Sequence, residues 1–483
     1  AGAPGGGATW GPPPQPNLTN KGHPARAATV RVNFVWEGDD SHILVVDDGR
    51  GMTPEGLDRA MRLGDRSPLD AREADDLGRF GLGLKTASFS QCRRLTVASV
   101  KDGHRSVLRW DLDVLLADAS GRWSLLEGAH PGSDSRLADF RGQTQGTAVL
   151  WERMDRITGR GANERDFLDQ IDRIERHLAM VFHRYLEARK LTILINGRPV
   201  SPWDPFLENR LDTWRSGADR VTVNGQTISF QGFVLPHRDR LDKKTLESAA
   251  GPDGWTAQQG FYVYRNQRLL VAGSWLGLGK GRSWTKDEPY RLARIRVDLP
   301  NAADADWQID IRKSTARPPP EARQKLTLLA EHVRERARRV FAFRGKPVAG
   351  GGRGVVAQAW TATKTKSGMR YRVDPDHPAV AAVLEEAGDL APSIVAMLRV
   401  IEDTIPVQQI WLDTAEARET PPRTLQEAMP PEVQAVMQRI FNSLVRRRGL
   451  TVEAARNQML RTEPFDTWPD YVANLDILPE TPR

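Results

Sequence analysis

The chain has 483 residues, too many for one hydrophobic core, and predicts two or three domains. Apolar residues make up 39% and charged residues 27%, the balance of a globular protein, and no apolar run approaches the ~18 residues of a bilayer span. A single cysteine, Cys92, excludes an internal disulfide and suits the cytoplasm, and no secretory signal is visible. The nine scattered histidines lack paired metal-ligand spacing, which argues against a zinc site. With 69 basic against 62 acidic side chains and a net charge of +7, contact with nucleic acid is permitted but not required.

In chain order, the first two dozen residues are rich in glycine and proline and read as disordered or as an aberrant start. From Thr29, "TVRVNFVW" alternates Val30, Val32 and Phe34 with polar partners, a half-buried strand. "HILVVD" is a second strand, turned by the Asp-Gly that follows. Thr53-Pro54 offers a cap residue and a first-turn proline, predicting a helix that ends by Gly64. A charged stretch, 65–77, leads to the glycine loop and a helix over "LKTASFSQ". "RLTVASV", "SVLRWDL" and "TAVLWERM" predict three more strands, a helix spans 164–189, and "LTILING" closes a first α/β region. The prolines of "RPVSPWDPF" predict a link.

Beyond it, "RVTVNGQTISFQGFVL" and "RLARIRVDLP" predict strands, and "GFYVYRNQRLLV" a hairpin around Arg265-Asn266-Gln267. "WQIDIRKS" alternates Trp307, Ile309 and Ile311 as another strand, and a helix from Pro320 to about Phe343 ends a second α/β region. "GKPVAGGGRG" is a flexible linker. The rest is mainly helical, with an apolar stripe at Val433, Val436, Met437, Ile440 and Leu444 and a C-cap at Gly449. The predicted divisions are therefore 1–24, 25–200, 201–345, 346–357 and 358–483.

Three segments carry candidate chemistry. In "DLGRFGLGLKTAS", Gly78, Gly81 and Gly83 free the backbone to converge on a phosphate chain, and Lys85 can add a charge. A flexible connection is the plainer reading of the same loop, which fits neither a P-loop nor a dinucleotide fingerprint. In "ILVVDDGRGM", Asp47 can stand at a pocket floor and accept a hydrogen bond from an exocyclic amine; an Asp-Gly turn is the alternative. In "GQTQGTAVLW", Thr147 begins a strand and can hydrogen-bond beside that carboxylate, or be a strand threonine and nothing more. "LVRRRGL", with Arg446–Arg448, reads as a capped helix end or as a phosphate contact.

Taken together, Asp47-Asp48-Gly49-Arg50-Gly51, Gly78-Arg79-Phe80-Gly81-Leu82-Gly83 and Gly146-Thr147, in that order and spacing, resemble the GHKL ATPase superfamily of gyrase B, heat-shock chaperones, histidine kinases, MutL and MORC proteins. The resemblance implies an α+β chain: a Bergerat-type α/β sandwich, then a ribosomal-protein-like α/β transducer domain, then a mainly helical region. It implies ATP as ligand, with Mg²⁺. Asp47 would bind the adenine amine, Gly49, Gly51 and Met52 would line the base pocket, and Thr147 would support Asp47. Gly78, Arg79, Phe80, Gly81, Leu82, Gly83, Leu84 and Lys85 would close over the phosphates, and 53–77 would form a mobile lid. "GFYVYRNQRLL" and "WQIDIRKS" resemble bacterial MORC and MutL-like proteins, which makes Lys313 the residue that reaches the γ-phosphate.

The sequence departs from that pattern in one place. The family holds Mg²⁺ through an Asn on a helix before the first strand, with a Glu one turn earlier as general base. Here "PQPNLTNKGHPARAA" carries prolines and no Glu, so no magnesium ligand is assigned. A lost or misread N-terminus is the favoured explanation, and ATP binding without efficient turnover the other. The resemblance implies an ATP-operated switch or clamp in DNA-related processes such as restriction-modification or phage defence, working as an ATP-dependent homodimer on duplex DNA or with defence proteins, away from membranes. A non-hydrolysing scaffold and a chaperone-like remodeller are the alternatives.

Overall fold

The computed structural model describes residues 27–62, 83–118, 124–155, 163–300, 303, 306–309, 316–342, 357–365, 368–410, 431–446, 448–462, 465 and 468–477. Two compact units, Ala1–Ala342 and Phe343–Arg483, make up the chain. In the first, strands β1 (Thr29–Val35), β2 (His42–Asp47), β3 (Arg94–Lys101), β4 (His104–Asp111), β5 (Leu126–Glu127), β6 (Gly146–Glu152), β7 (Thr192–Ile195) and β8 (Arg198–Pro199) form a sheet in the order β5-β4-β3-β6-β2-β1-β7-β8. β1 and β7 run parallel and their neighbours antiparallel, so the sheet is mixed.

Alternation places the core. Ile43 and Val45 of β2 share one face with Val30, Val32, Val97 and Val149. That face is covered by helices α1 (Pro54–Met61), α2 (Gly83–Phe89) and α3 (Glu164–Val181), which bring Leu57, Met61, Leu84, Phe167, Ile174 and Leu178 into the same core. Leu44 and Val46 point the other way, into a smaller cluster with Ala98, Ala148, Leu150 and Phe140. A strand covered on both faces reads as a continuous apolar run, which is why "HILVVD" is buried along its whole length.

The helix expected over 164–189 is two helices. Phe182, at φ −108° and ψ 11°, ends α3 and begins α4 (His183–Glu187). The break turns α4 onto a second sheet of β9 (Trp214–Arg215), β10 (Asp219–Val223), β11 (Gln226–Val234), β12 (Gly260–Arg265), β13 (Arg268–Ser274) and β14 (Ala293–Leu299), in the order β10-β11-β14-β12-β13 with β9 beside β11. The predicted hairpin turn forms at Asn266-Gln267, and a second one, Asn224-Gly225, joins β10 to β11; each has two positive φ angles that match the strand twist. One face packs on α5 (Pro320–Ala342) through Leu326, Ala330, Val333 and Ala337. The other carries Phe206, Phe233, Tyr262, Tyr264 and Leu269, with Met180 and Trp203 against them.

Polar contacts lock α4 to this second face. His183 Nε2 and Tyr264 Oη are 2.8 Å apart, Arg184 stacks 3.6 Å over the Tyr264 ring and pairs with Asp298, and Tyr185 donates to the Asn266 carbonyl. Arg184→Ala removes a cation–π contact and a charged hydrogen bond at once. It is expected to cost about 2–3 kcal/mol in urea denaturation, and Arg184→Lys to recover less than half, since an ammonium lacks the planar stack.

Two further expectations differ from the structure. The link "RPVSPWDPF" includes the short edge strand β8, where Pro199 needs no ladder donor. The strand expected from Trp307 is a turn at its start: Gln308 has φ 44°, and the fully buried Trp307 is bonded to Ala303 and Arg317 through its backbone. Ile311 and Lys313 lie outside the described residues.

The second unit is mainly helical, with a hairpin of β15 (Trp360–Thr365) and β16 (Gly368–Val373) that the mainly helical reading did not include. Helices α6 (Pro378–Ala387), α7 (Ala391–Asp403), α8 (Pro431–Arg446), α9 (Val452–Met459) and α10 (Pro469–Ala473) follow. The predicted stripe of α8 buries Met437, Ile440 and Leu444 with Ala455, Met459 and Val472. Gly449 takes the positive φ expected after this helix, 68°, and Arg448 pairs with Glu385 at 3.7 Å. No helix among the described residues is long and apolar enough to cross a membrane.

Candidate functional site

Register brings distant residues into one row. In the antiparallel pairings, Asp47 of β2 stands opposite Thr147 of β6, which stands opposite Ser99 of β3, which stands opposite Ser106 of β4. Directly opposed residues project to the same side. By the two-residue period that side is the helix-covered one, shared with Ile43 and Val45. Asp47, Thr147 and Ser99 are all buried, at 3%, 7% and 0% exposure. Three adjacent polar side chains thus interrupt an otherwise apolar surface at the strand ends. Burial of such groups is costly unless each is hydrogen-bonded.

Their partners are as follows. Asp47 Oδ1 accepts from Gly49 N at 2.9 Å. Ser99 Oγ accepts from Met52 N at 2.8 Å and lies 3.1 Å from both Gly146 O and Thr147 Oγ1. The neighbouring Asp48 does a different job, accepting from Ala28 N and Thr29 N at 2.8 and 2.9 Å and fastening the start of β1. Of the two consecutive aspartates, Asp47 is the one aimed at the helix side.

Two glycines make the convergence possible. Gly51 has φ +64°, and a Cβ there would sit 1.9 Å from Val100 O. Gly146 has φ +125°, and a Cβ there would sit 2.2 Å from Asp47 O. No side chain fits at either place, so the chain after β2 passes close across the ends of β3 and β6. Met52 is half-buried against the core beside them.

The glycine-loop residues divide. Gly78, Arg79, Phe80, Gly81 and Leu82 lie outside the described residues. Gly83 opens α2. Leu84 is a core residue, its carbonyl accepting from Ser88 Oγ at 2.6 Å. Lys85 is buried, and its ammonium donates to the carbonyls of Ala60 (3.3 Å) and Arg62. Trp110 Nε1 donates to Met61 O at 2.9 Å. The last carbonyls of α1 are therefore met by a cation and an indole, which suits the negative end of a helix. In this conformation Lys85 serves α1, where the sequence had suggested a phosphate.

Cys92 is buried, and burial pushes its thiol well above the usual range, so it is an inert packing residue. Among the described residues, one group has metal-ligand spacing: His183, Glu187 and Asp204. Its atoms already have partners. His183 Nε2 meets Tyr264, and Asp204 accepts from Phe206 N at 2.8 Å and Glu208 N at 2.6 Å, which makes it a loop fastener. Burial, with Glu187 nearby, holds the Asp204 carboxyl above its ordinary range.

Sequence reasoning missed Ser99. A serine in "TVASV" carries no signal of its own, and only the cross-strand register gives it a role.

Comparison with known proteins places this geometry. Residues 18–144 match the model of the family described as histidine kinase-, DNA gyrase B-, and HSP90-like ATPase. No curated protein matches the chain. Among solved structures, the ATPase and transducer domains of DNA topoisomerase II from Balamuthia mandrillaris are similar at 14% identity and a TM-score of 0.36, over 68% of this chain and 83% of that one. A likeness that distant carries neither function nor detail across. By the family match, residues 18–144 of this α+β chain carry a domain of the GHKL ATPase type.

Proposed function

We propose that the Asp47–Thr147–Ser99 row is the floor of an adenine pocket and that ATP, bound there, operates the chain as a conformational switch. The observation that supports this most is the row itself: a buried carboxylate and two hydroxyls side by side on an apolar face, with glycine forced at both flanks. A purine edge fits such a floor, because it offers hydrogen-bond donors and acceptors in a plane while its faces stay apolar. Asp47 would accept from the exocyclic amine, with Gly49, Gly51 and Met52 beside the base. The Gly78–Lys85 segment would meet the phosphates. Lys85 then exchanges the α1 carbonyls for phosphate oxygens, which ties α1 to nucleotide occupancy. Bound ATP supplies a terminal phosphate with three charged oxygens, and Lys313 is the cation we assign to it.

The layer beyond residue 200 acts, in this reading, as a transducer. Its grip on α4 through Tyr264 and Asp298 offers a rigid path from the ATP layer to the second sheet. We place the chain with MORC and MutL-like switches that clamp DNA or work with restriction and phage-defence proteins as ATP-dependent dimers.

Sedimentation velocity with a non-hydrolysable ATP analogue and Mg²⁺ tests the switch. The wild type is expected to shift from monomer to dimer, and Lys313→Ala to bind the analogue yet remain monomeric. An unchanged sedimentation coefficient in the wild type under saturating analogue would remove the switch reading. Gel shift of duplex DNA with and without the analogue, across salt concentrations, tests the partner.

A further inference from the structure

We propose that the β15–β16 hairpin is a duplex-DNA contact whose arginine face meets the phosphate backbone without reading sequence. The proposal rests on duplex DNA being the partner, as in the reading above, and is independent of the adenine pocket.

Composition singles out the segment. Residues 360–373, "WTATKTKSGMRYRV", carry Lys364, Lys366, Arg370 and Arg372 and no acidic side chain. Register then sorts the described residues. Thr361 stands opposite Arg372 and Thr363 opposite Arg370, so these four share one face of the ribbon. Trp360, Ala362 and Tyr371 belong to the other face. Thr361, Thr363, Arg370 and Arg372 are all exposed. A face that lies wholly in water gains nothing from burial, so packing gives no reason for its arginines.

The ribbon is held at its open end. Asp374 N donates to Ala359 O at 2.9 Å, and Val373 N donates to Glu402 Oε1 of α7 at 2.8 Å. Across the basic face, Thr361 Oγ1 donates to Arg372 O at 3.3 Å and Thr363 Oγ1 to Arg370 O at 3.4 Å. Both hydroxyl protons are taken up within the ribbon, which leaves the two guanidinium forks as the side-chain donors of this face. Such forks match the paired oxygens of a phosphate, and contacts of that kind fix position without carrying sequence information.

Charge selects the class of partner. Among the described residues no carboxylate pairs with Arg370 or Arg372, whereas Arg439 faces Glu386 at 4.0 Å and Arg448 faces Glu385 at 3.7 Å. The run 446–448, which the sequence offered as a phosphate contact, is thus partly neutralised. An exposed arginine paired with a single peptide carboxylate contributes little. A duplex releases condensed counterions at every phosphate that is met, so exposed cations gain affinity there. A membrane surface or a single strand would use cations and aromatic rings together. Trp360 and Tyr371 face away from the arginines, which favours the duplex, whose major groove admits a two-stranded ribbon.

Fluorescence anisotropy of a short labelled duplex, titrated with the whole chain across salt concentrations, with and without the ATP analogue, tests the assignment. The double variant Arg370→Gln/Arg372→Gln is expected to bind at least about tenfold more weakly, for two unrelated sequences alike. Its log–log salt slope should fall by about 1.8, the worth of two phosphate contacts. Arg370→Lys/Arg372→Lys keeps both charges and should recover the wild-type slope. Arg439→Gln/Arg448→Gln, an equal change in charge on the same unit, should leave the slope where it was. All of these side chains are exposed, so each variant should melt with the wild type. An unaltered slope in the Arg370/Arg372 glutamine variant, or an equal loss in the Arg439/Arg448 control, would overturn the proposal while leaving DNA as the partner. Tighter capture of single strands or of phosphatidylserine vesicles than of duplex, abolished by Tyr371→Ala, would move the contact to the aromatic face and also defeat it. Absence of duplex binding by the wild type in either nucleotide state removes the DNA partner and this proposal together.

Discussion

Asp47→Asn is expected to weaken ATP binding by about 100-fold while leaving the fold near its original stability. The substitution is close to isosteric. Asp47 Oδ1 accepts from Gly49 N at 2.9 Å, and an amide oxygen can keep that bond and the turn it holds. The other carboxylate oxygen becomes an NH₂ group, which donates where the pocket needs an acceptor. A donor facing the adenine amine loses a charge-assisted hydrogen bond and leaves two buried donors opposed, together worth about 3 kcal/mol. Calorimetric titration with ATP reads the loss, and urea denaturation reads the fold, where a change below about 1 kcal/mol is expected. The nucleotide of unsubstituted purine, without the 6-amino group, isolates the contact. Wild type and Asp47→Asn should bind it within a few-fold of each other. If Asp47→Asn binds ATP as the wild type does, the carboxylate is not at the base, and the assignment of the pocket fails.

Much of the ATP layer was legible because its strands are written in a period of two. Val30, Val32 and Phe34 alternate on β1, and the run of β2 announces burial on both sides. The same rule misled at Trp307, whose spacing from Ile309 imitates a strand, because periodicity does not report the positive φ that Gln308 adopts. A helical period likewise runs through Phe182 without showing that the backbone breaks there. The β15–β16 hairpin carries the same period, with Trp360 and Ala362 opposite Val373 and Tyr371 and the polar Thr361 and Thr363 opposite Arg372 and Arg370. Trp360 and Tyr371 are exposed and the segment is short, so the helical reading of the region passed over it.

At the site, Asp47 and Thr147 could be named from motif order, since glycines flank both. Ser99 could not. Its partners are 47 and 48 residues away, and the pairing of β3 with β6 and the passage of the loop after β2 across their ends bring them within reach. Lys85 shows a further limit. The sequence gives a cation next to a glycine loop, but whether it meets a phosphate or the end of α1 depends on which carbonyls lie nearby. Asp48 was separable from Asp47 in principle, being out of phase with Ile43 and Val45, yet its task at the start of β1 needed coordinates.

Gly51→Ala is expected to damage the first sheet severely, and Gly38→Ala is the control that shows why. Both glycines have positive φ, 64° and 60°, so alanine at either pays the left-handed backbone penalty of about 1 kcal/mol. Around Gly38 a new Cβ meets nothing within 4 Å, and the backbone penalty is the whole cost. At Gly51 the new Cβ falls 1.9 Å from Val100 O, 2.7 Å from Val100 C and 3.1 Å from Gly146 O. These are backbone atoms of β3 and β6, held in the sheet, so they cannot turn aside as a flexible side chain would. Either the strand ends part or the loop is pushed away, for an expected total of more than about 3 kcal/mol in urea denaturation. Displacing the loop carries Met52 N off Ser99 Oγ, so ATP binding should fall even under conditions where the variant remains folded. Equal denaturation midpoints for Gly38→Ala and Gly51→Ala would mean that the loop does not pass so close to the strands. The pocket floor would then need another construction.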